Sequence, residues 1–211
     1  MYFNFNYVHS ETFECLKKLI TNKKYSNLVY ITVKCSHGLY FKNKKIPGRF
    51  NNKNIYENIF GNLGIHYIHM FISLFKNVSL NFVNIISTNK DNLLDTVVVN
   101  LIVNKKINLN LFLSYASIYN QSMEFYFNNG KIEFNNGRIT EHFPRDNFNK
   151  KGNFIPPIKK TLNKNLDLTN NSLEKSVNFF LKTISKKQNF NKFYKNAIST
   201  NKLILNYKKV L

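Results

Sequence analysis

Acidic side chains are scarce in this sequence: 11 Asp and Glu stand against 31 Lys and Arg, a formal net charge of +20. By itself that imbalance would attract nucleic acid or an anionic surface. Arginine is confined to Arg49, Arg138 and Arg145 and alanine to positions 116 and 197, while Asn, Lys, Ile, Phe and Tyr crowd every segment. Those five are the amino acids of A/T-rich codons, and the lysines are spread along the chain. Coding composition therefore accounts for the charge, and a nucleic-acid partner is not expected. Cys15 and Cys35 are the only cysteines, without metal-ligand spacing and without an apolar leader before them, so neither a disulfide framework nor secretion is indicated. The longest apolar stretch, 65–75, contains two His and is too short to span a bilayer. These absences point to a cytoplasmic chain with no membrane partner. No internal repeat is present.

What remains is a chain of 211 residues, 43% hydrophobic, enough for one domain with a real core. Residues 2–8 alternate aromatic side chains with Asn and predict a strand. Ser10 can cap a helix whose apolar face is Phe13, Leu16, Leu19 and Ile20, and 27–35 reads as a second strand. A basic aromatic loop occupies about 35–55. Strands follow at 80–87, 96–103, 107–113, 122–127, 131–134 and 138–143, with Ile107, Leu109, Leu111 and Leu113 alternating against Asn108 and Asn110 as in a sheet with one wet face. Asn129-Gly130 and Asn136-Gly137 are expected to supply the positive φ of tight hairpins. Residues 145–170 predict a long loop. A helix capped by Asn171 and Glu174 comes next, with Leu173, Val177, Phe180, Leu181 and Ile184 on one face, and a last helix spans about 192–206.

The segment from 58 to 75 is the one with chemistry on it. At helical period, Asn62, His66 and His69 fall at i, i+4 and i+7, a polar stripe on an apolar rod bearing Leu63, Tyr67, Met70, Phe71 and Leu74. Polar groups on a mostly buried helix need partners. Either neighbouring backbone satisfies them, or the helix lines a cavity and offers a proton-transfer group to a substrate.

Gly61-Asn62-Leu63-Gly64-Ile65-His66 resembles the helix motif of the glucose–fructose oxidoreductase (Gfo/Idh/MocA) family, Gly-Gly-x-Leu-x-Asp-x-Gly-x-His-x-Ile-Asp. Asn62 falls on the Asp position, Gly64, His66 and Ile68 match, and His69 replaces the final Asp. The Asn-x-Gly-x-His form is similar to a branch acting on UDP-N-acetylglucosaminuronic acid in lipopolysaccharide synthesis. Tyr7-Val8-His9-Ser10 stands where that branch has Arg-x-His-Pro, keeping the His alone. His37-Gly38-Leu39-Tyr40-Phe41 is similar to its Arg-Gly-x-Trp-Tyr, with His37 in place of Arg.

The resemblance implies an α+β fold: an open-faced, mainly antiparallel sheet of about six to eight strands with helices on one side. It implies a single substrate and oligomerisation domain over 1–211 that begins where the family's second domain begins. Neither Gly-x-Gly-x-x-Gly nor the Glu-Lys-Pro of the family's cofactor domain occurs, so NAD or NADP would sit on a Rossmann domain supplied elsewhere. Family members pair through the open sheet face, and two C-terminal helices pack on the cofactor domain. By the same resemblance His66 is the expected base and Asn62 holds the reacting oxygen. Tyr40, His37, His9, Arg49 and His69 are the expected contacts to a nucleotide sugar oxidised at C3. A His66–His69 metal pair lacks a third ligand. Two other classes stay open: a sheet module that only dimerises or binds a partner, or a relic of an enzyme, and a basic nucleic-acid-binding domain.

Overall fold

The computed structural model describes residues 4–22, 24–38, 59–88, 94–143, 148–162, 165–169, 171–186 and 191–209. Helix α1 (Glu11–Ile20) starts as its sequence requires. Ser10 Oγ accepts from the Phe13 amide at 3.1 Å and donates to the Tyr7 carbonyl at 2.7 Å, and Phe13 and Leu16 are buried. Strand β1 (Leu28–Ser36) follows. A five-residue π-helical turn, Phe60–Gly64, leads into α2 (Ile65–Leu74). Then come β2 (Val78–Ile86), β3 (Thr96–Val103), β4 (Ile107–Ser114), β5 (Asn120–Phe127), β6 (Gly130–Asn135), β7 (Arg138–Phe143) and β8 (Ile158–Leu162). Helices α3 (Ser172–Ser185) and α4 (Asn191–Leu205) complete the order.

The strands form one eight-stranded sheet in the order β2-β3-β4-β1-β5-β6-β7-β8. Every pair is antiparallel except β1 with β4, whose parallel register runs from Tyr30↔Asn108 to Ser36↔Ser114. Alternation decides which face is wet. Ile31, Val33, Leu109, Leu111, Leu113, Met123, Phe125, Ile132 and Phe134 are buried with Tyr67, Ile68, Met70 and Phe71 of α2 in one core. Fully burying each such side chain stabilises by roughly 1.5–3 kcal/mol. The opposite face carries a polar ladder. Asn81 donates to Asn100, Asn100 to Asn110 at 2.6 Å, and Asn110 to the Tyr30 hydroxyl at 2.8 Å. Further along, Lys131 bridges Glu124 at 2.8 Å and Glu133 at 3.0 Å. The α+β open-sheet architecture is the one the sequence predicts.

Five local expectations change. In place of a strand at 2–8, Asn6–His9 forms a 3₁₀ turn. The Ser10 amide and hydroxyl both bond the Tyr7 carbonyl, while Asn4 and Asn6 reach across to Ser176 and Ser172 of α3. Positive φ occurs at Asn136 (43°) and Gly137 (88°), and also at Asn104 and Lys105, but not at Gly130. Glycine is required there for space: a Cβ would lie 2.7 Å from the His142 carbonyl oxygen and 2.8 Å from the Tyr25 ring. Within 145–170 the chain adds β8 to the sheet edge. Asn171 takes a left-handed conformation and its side chain caps nothing. Finally, α3 is turned polar side in: Ser172, Ser176 and Thr183 are buried, whereas Leu173, Val177, Leu181 and Ile184 are each about half exposed, at 54%, 46%, 55% and 53%.

Candidate functional site

The π turn and α2 set the site's geometry. The π turn lies close against β4, where a Cβ on Gly64 would meet the Phe60 ring at 3.1 Å and Leu113 at 3.3 Å, so the motif glycine permits this approach. π-Helical hydrogen bonding widens the backbone between Asn62 and His66 and removes the simple i, i+4 relation read from the sequence. Both residues are nevertheless half-buried, while His69, one turn further on, is sealed.

His66 is held by rings. The Tyr7 ring stacks on its imidazole with centroids 4.9 Å apart and planes at 26°, and Phe5 meets it edge-on at 6.3 Å. Its Nδ1 is buried with no hydrogen-bond partner among the described residues. Burial penalises the charged form and pulls its pKa down to about 4, so the imidazole is neutral at pH 7.

His69 stacks on Phe5 at 4.1 Å, and its Nδ1 lies 3.1 Å from the Thr200 hydroxyl. Since Thr200 donates its own proton to the Asn196 carbonyl at 2.8 Å, His69 Nδ1 carries the hydrogen, which leaves Nε2 as an acceptor without a partner among the described residues. Burial first, then the neighbouring His66 and His9, lower its pKa to about 3. The polar stripe thus divides into a half-open imidazole and one tied into the core.

The remaining predicted residues do not all converge. His9 ends the 3₁₀ turn with its ring on Phe179 at 4.9 Å, turned toward α3, and its pKa is lowered by burial, with Glu14 opposing. His37 follows β1, donates its amide to the Ser114 carbonyl at 3.0 Å and packs on Tyr115 at 4.7 Å. Burial lowers its pKa also. Tyr40 and Arg49 lie outside the described residues.

Tyr7 links the two halves. Besides stacking on His66 it meets Tyr67 edge-on at 5.4 Å. Its hydroxyl is held in the protonated form chiefly by burial, then by Cys35, Tyr115, Asp167 and Tyr119 nearby. The carboxyl edge of the parallel pair β1/β4, with its following loop, therefore meets the open side of α2. In open α/β sheets ligands bind outside the carboxyl ends of parallel strands, and β1/β4 is the one parallel pair of this sheet. Tyr119, 64% exposed, lies near Tyr7 on the solvent side. Sequence reading missed Tyr7, Tyr115 and Tyr119 as site residues; two tyrosines bracketing the turn after β4 were the available signal. Among the described residues no group of three or more His, Cys, Asp or Glu is placed to hold a metal, and no helix is long and apolar enough to cross a membrane.

The described elements contain no strand–turn–helix with a glycine-rich turn, so they do not fit a dinucleotide cradle. β1 reaches its parallel neighbour only after α2, β2 and β3.

The fold and this edge define a class, an α+β domain built on one open eight-stranded sheet. The chain is similar to KijD10, a 3-ketoreductase from Actinomadura kijaniata solved with NADP and TDP-benzene, at 10% identity and a TM-score of 0.71, covering 98% of this chain and 61% of that one. It is similar to an oxidoreductase from Thermotoga maritima at 14% identity and a TM-score of 0.72, covering 98% and 60%. It is also similar to a myo-inositol dehydrogenase from Corynebacterium glutamicum at 16% identity and a TM-score of 0.68, again covering 98% and 60%. The chain thus spans about three-fifths of the length of these structures. At these identities the likeness is one of fold. No family model matches the chain. No curated protein matches it by sequence.

Proposed function

We propose that this chain is the substrate-binding half of an NAD(P)-dependent oxidoreductase acting on a nucleotide-linked sugar, with a UDP-N-acetylaminouronate oxidised at C3 as the specific substrate. The observation that carries the reading is His66: a neutral, half-open imidazole, braced by Tyr7, at the carboxyl edge of the sheet's parallel strand pair. The fold likeness to a 3-ketoreductase solved with NADP and TDP-benzene and to a myo-inositol dehydrogenase supports the same class.

A nicotinamide, when bound by its own unit, supplies the hydride acceptor. This chain's residues do the rest. His66 takes the hydroxyl proton as the ring carbon becomes a carbonyl, and Asn62 holds that oxygen by hydrogen bonding. Tyr7 keeps the imidazole plane fixed. His37 and Tyr119 face the nucleotide, and the resemblance adds Tyr40 and Arg49 as contacts to it. His69 positions α2 through Thr200 and does not touch substrate. The half-exposed aliphatic edge of α3 is where the cofactor-holding unit packs in this reading, since covering the rest of each of those side chains is worth roughly 1 kcal/mol, about half of full burial.

The test is reconstitution with a nicotinamide-binding unit and UDP-N-acetylglucosaminuronic acid. His66→Ala should cut turnover by about 10²–10⁴ while leaving sugar-nucleotide affinity nearly unchanged. Full turnover in that variant rejects His66 as the base, and absence of sugar-nucleotide binding by the parent chain rejects the function.

A further inference from the structure

Away from the site, residues 148–154 build a small finger at the β8 edge of the sheet. Phe148 and Phe154 pair across an antiparallel bridge. Residues directly opposite in such a pair project to the same side, and here the two rings pack together at 4.8 Å. They are nevertheless 52% and 83% exposed. Four backbone amides of the tip between them are hydrogen-bonded. The Asn149 amide donates to the Asn153 carbonyl and the Gly152 amide to the Asn149 carbonyl, both at 2.9 Å. Asn149 Oδ1 accepts from the Lys151 and Asn153 amides at 2.9 and 3.0 Å, and Gly152 takes φ +79°. The exposed rings are therefore presented by an ordered turn, which lowers the ordering cost of docking.

Charge says what they are presented to. From Phe148 to Leu162 there is no acidic residue, and Lys150, Lys151, Lys159 and Lys160 are all exposed. Two stand at the tip and two at the base, beside the exposed Ile158. A second copy of the chain offers these lysines little. Of the eight described acidic residues, Glu11, Glu14, Glu124, Glu133 and Glu141 are each already paired with a lysine of their own chain and Asp95 is buried, which leaves Asp167 and Glu174. The complementary surface has negative charge outermost and an apolar layer just beneath it. We propose that the Phe148–Phe154 finger docks the protein on an anionic lipid surface, with the two rings entering the interfacial layer and the lysines on the headgroup phosphates. Surface docking needs no spanning segment, so the sequence-based expectation of no membrane partner, which rested on the lack of one, is set aside here.

The chain contains no Trp, so Phe154→Trp introduces a single reporter into the full chain. On vesicles of phosphatidylcholine with about a third phosphatidylserine, its emission should shift to the blue and be quenched by brominated acyl chains. A Phe112→Trp reporter on the open sheet face should stay unshifted. Phe148→Ser/Phe154→Ser keeps the charge and should weaken vesicle binding by about tenfold, and Lys150→Gln/Lys151→Gln by a similar factor. Four results overturn the proposal. One is vesicle binding with no shift from the Phe154→Trp reporter, which assigns the binding to diffuse charge. The second is undiminished binding by the double Phe variant. The others are a shift produced by a single-stranded oligonucleotide but not by vesicles, and a shift that follows protein concentration alone.

Discussion

The Tyr7 ring lies against the His66 imidazole at 4.9 Å, and this one stack joins the N-terminal 3₁₀ turn to the polar stripe of α2. Tyr7 puts a flat ring over one face of the histidine and keeps water from it. Tyr7→Phe should preserve the stack and leave the His66 titration near pH 4. Tyr7→Leu should open the imidazole to solvent, move its titration up toward 6.5 and cost about 1–3 kcal/mol of stability. An NMR pH titration of the His66 ring distinguishes these outcomes, and equal titrations in both variants would remove Tyr7 from the site.

Stability should fall on mild acidification. Unfolded imidazoles take up a proton near pH 6.5, whereas His66 and His69 do so only near 4 and 3 in the folded chain. Between those values the unfolded form binds more protons, so their contribution is complete above 6.5. It is lost as pH falls toward 4 and 3, at a slope approaching about 1.4 kcal/mol per pH unit for each histidine. Urea midpoints from pH 7.5 down to 4.5 measure the slope. His69→Leu should remove only the share of the slope that His69 carries, leaving that of His66, His9 and His37, because Thr200 keeps its bond to the Asn196 carbonyl and only the titrating ring is lost.

Gly130→Ala should destabilise by about 1–3 kcal/mol through overpacking, since the added methyl meets the His142 backbone and the Tyr25 ring. Gly152→Ala, where a Cβ meets nothing within 4 Å, carries only the penalty of its positive φ and should cost less. Denaturant unfolding of the two variants side by side tests the distinction.

Leu173→Ser/Leu181→Ser in α3 should change the stability of this chain by no more than about 0.5 kcal/mol per site, because both side chains already face solvent. The same change should abolish association with a nicotinamide-binding unit. Calorimetric titration reads the association, and undiminished binding by the variant would place that unit elsewhere.

Elements governed by local period were legible. Ile107 to Leu113 alternate in the structure as in the sequence, and Ser10 caps α1 through the Phe13 amide, because strand alternation and cap chemistry involve only near neighbours. The candidate site was legible as residue types on α2 and no further. Whether His66 or His69 stays open depends on Phe5, Tyr7, Phe193 and Thr200, which arrive from both ends of the chain.

The sequence by itself determined seven of the sheet's eight strands, β1 to β7, the apolar rod of α2 and the excess of positive charge, since pattern and composition are properties of consecutive residues. Only the tertiary structure decided that α3 turns its serines inward. Asn4 and Asn6 are more than 160 residues away, and their bonds to Ser176 and Ser172 outweigh the preference of Leu173 and Leu181 for the interior. It likewise decided which histidine is held half-open, because exposure is set by what packs on a side chain.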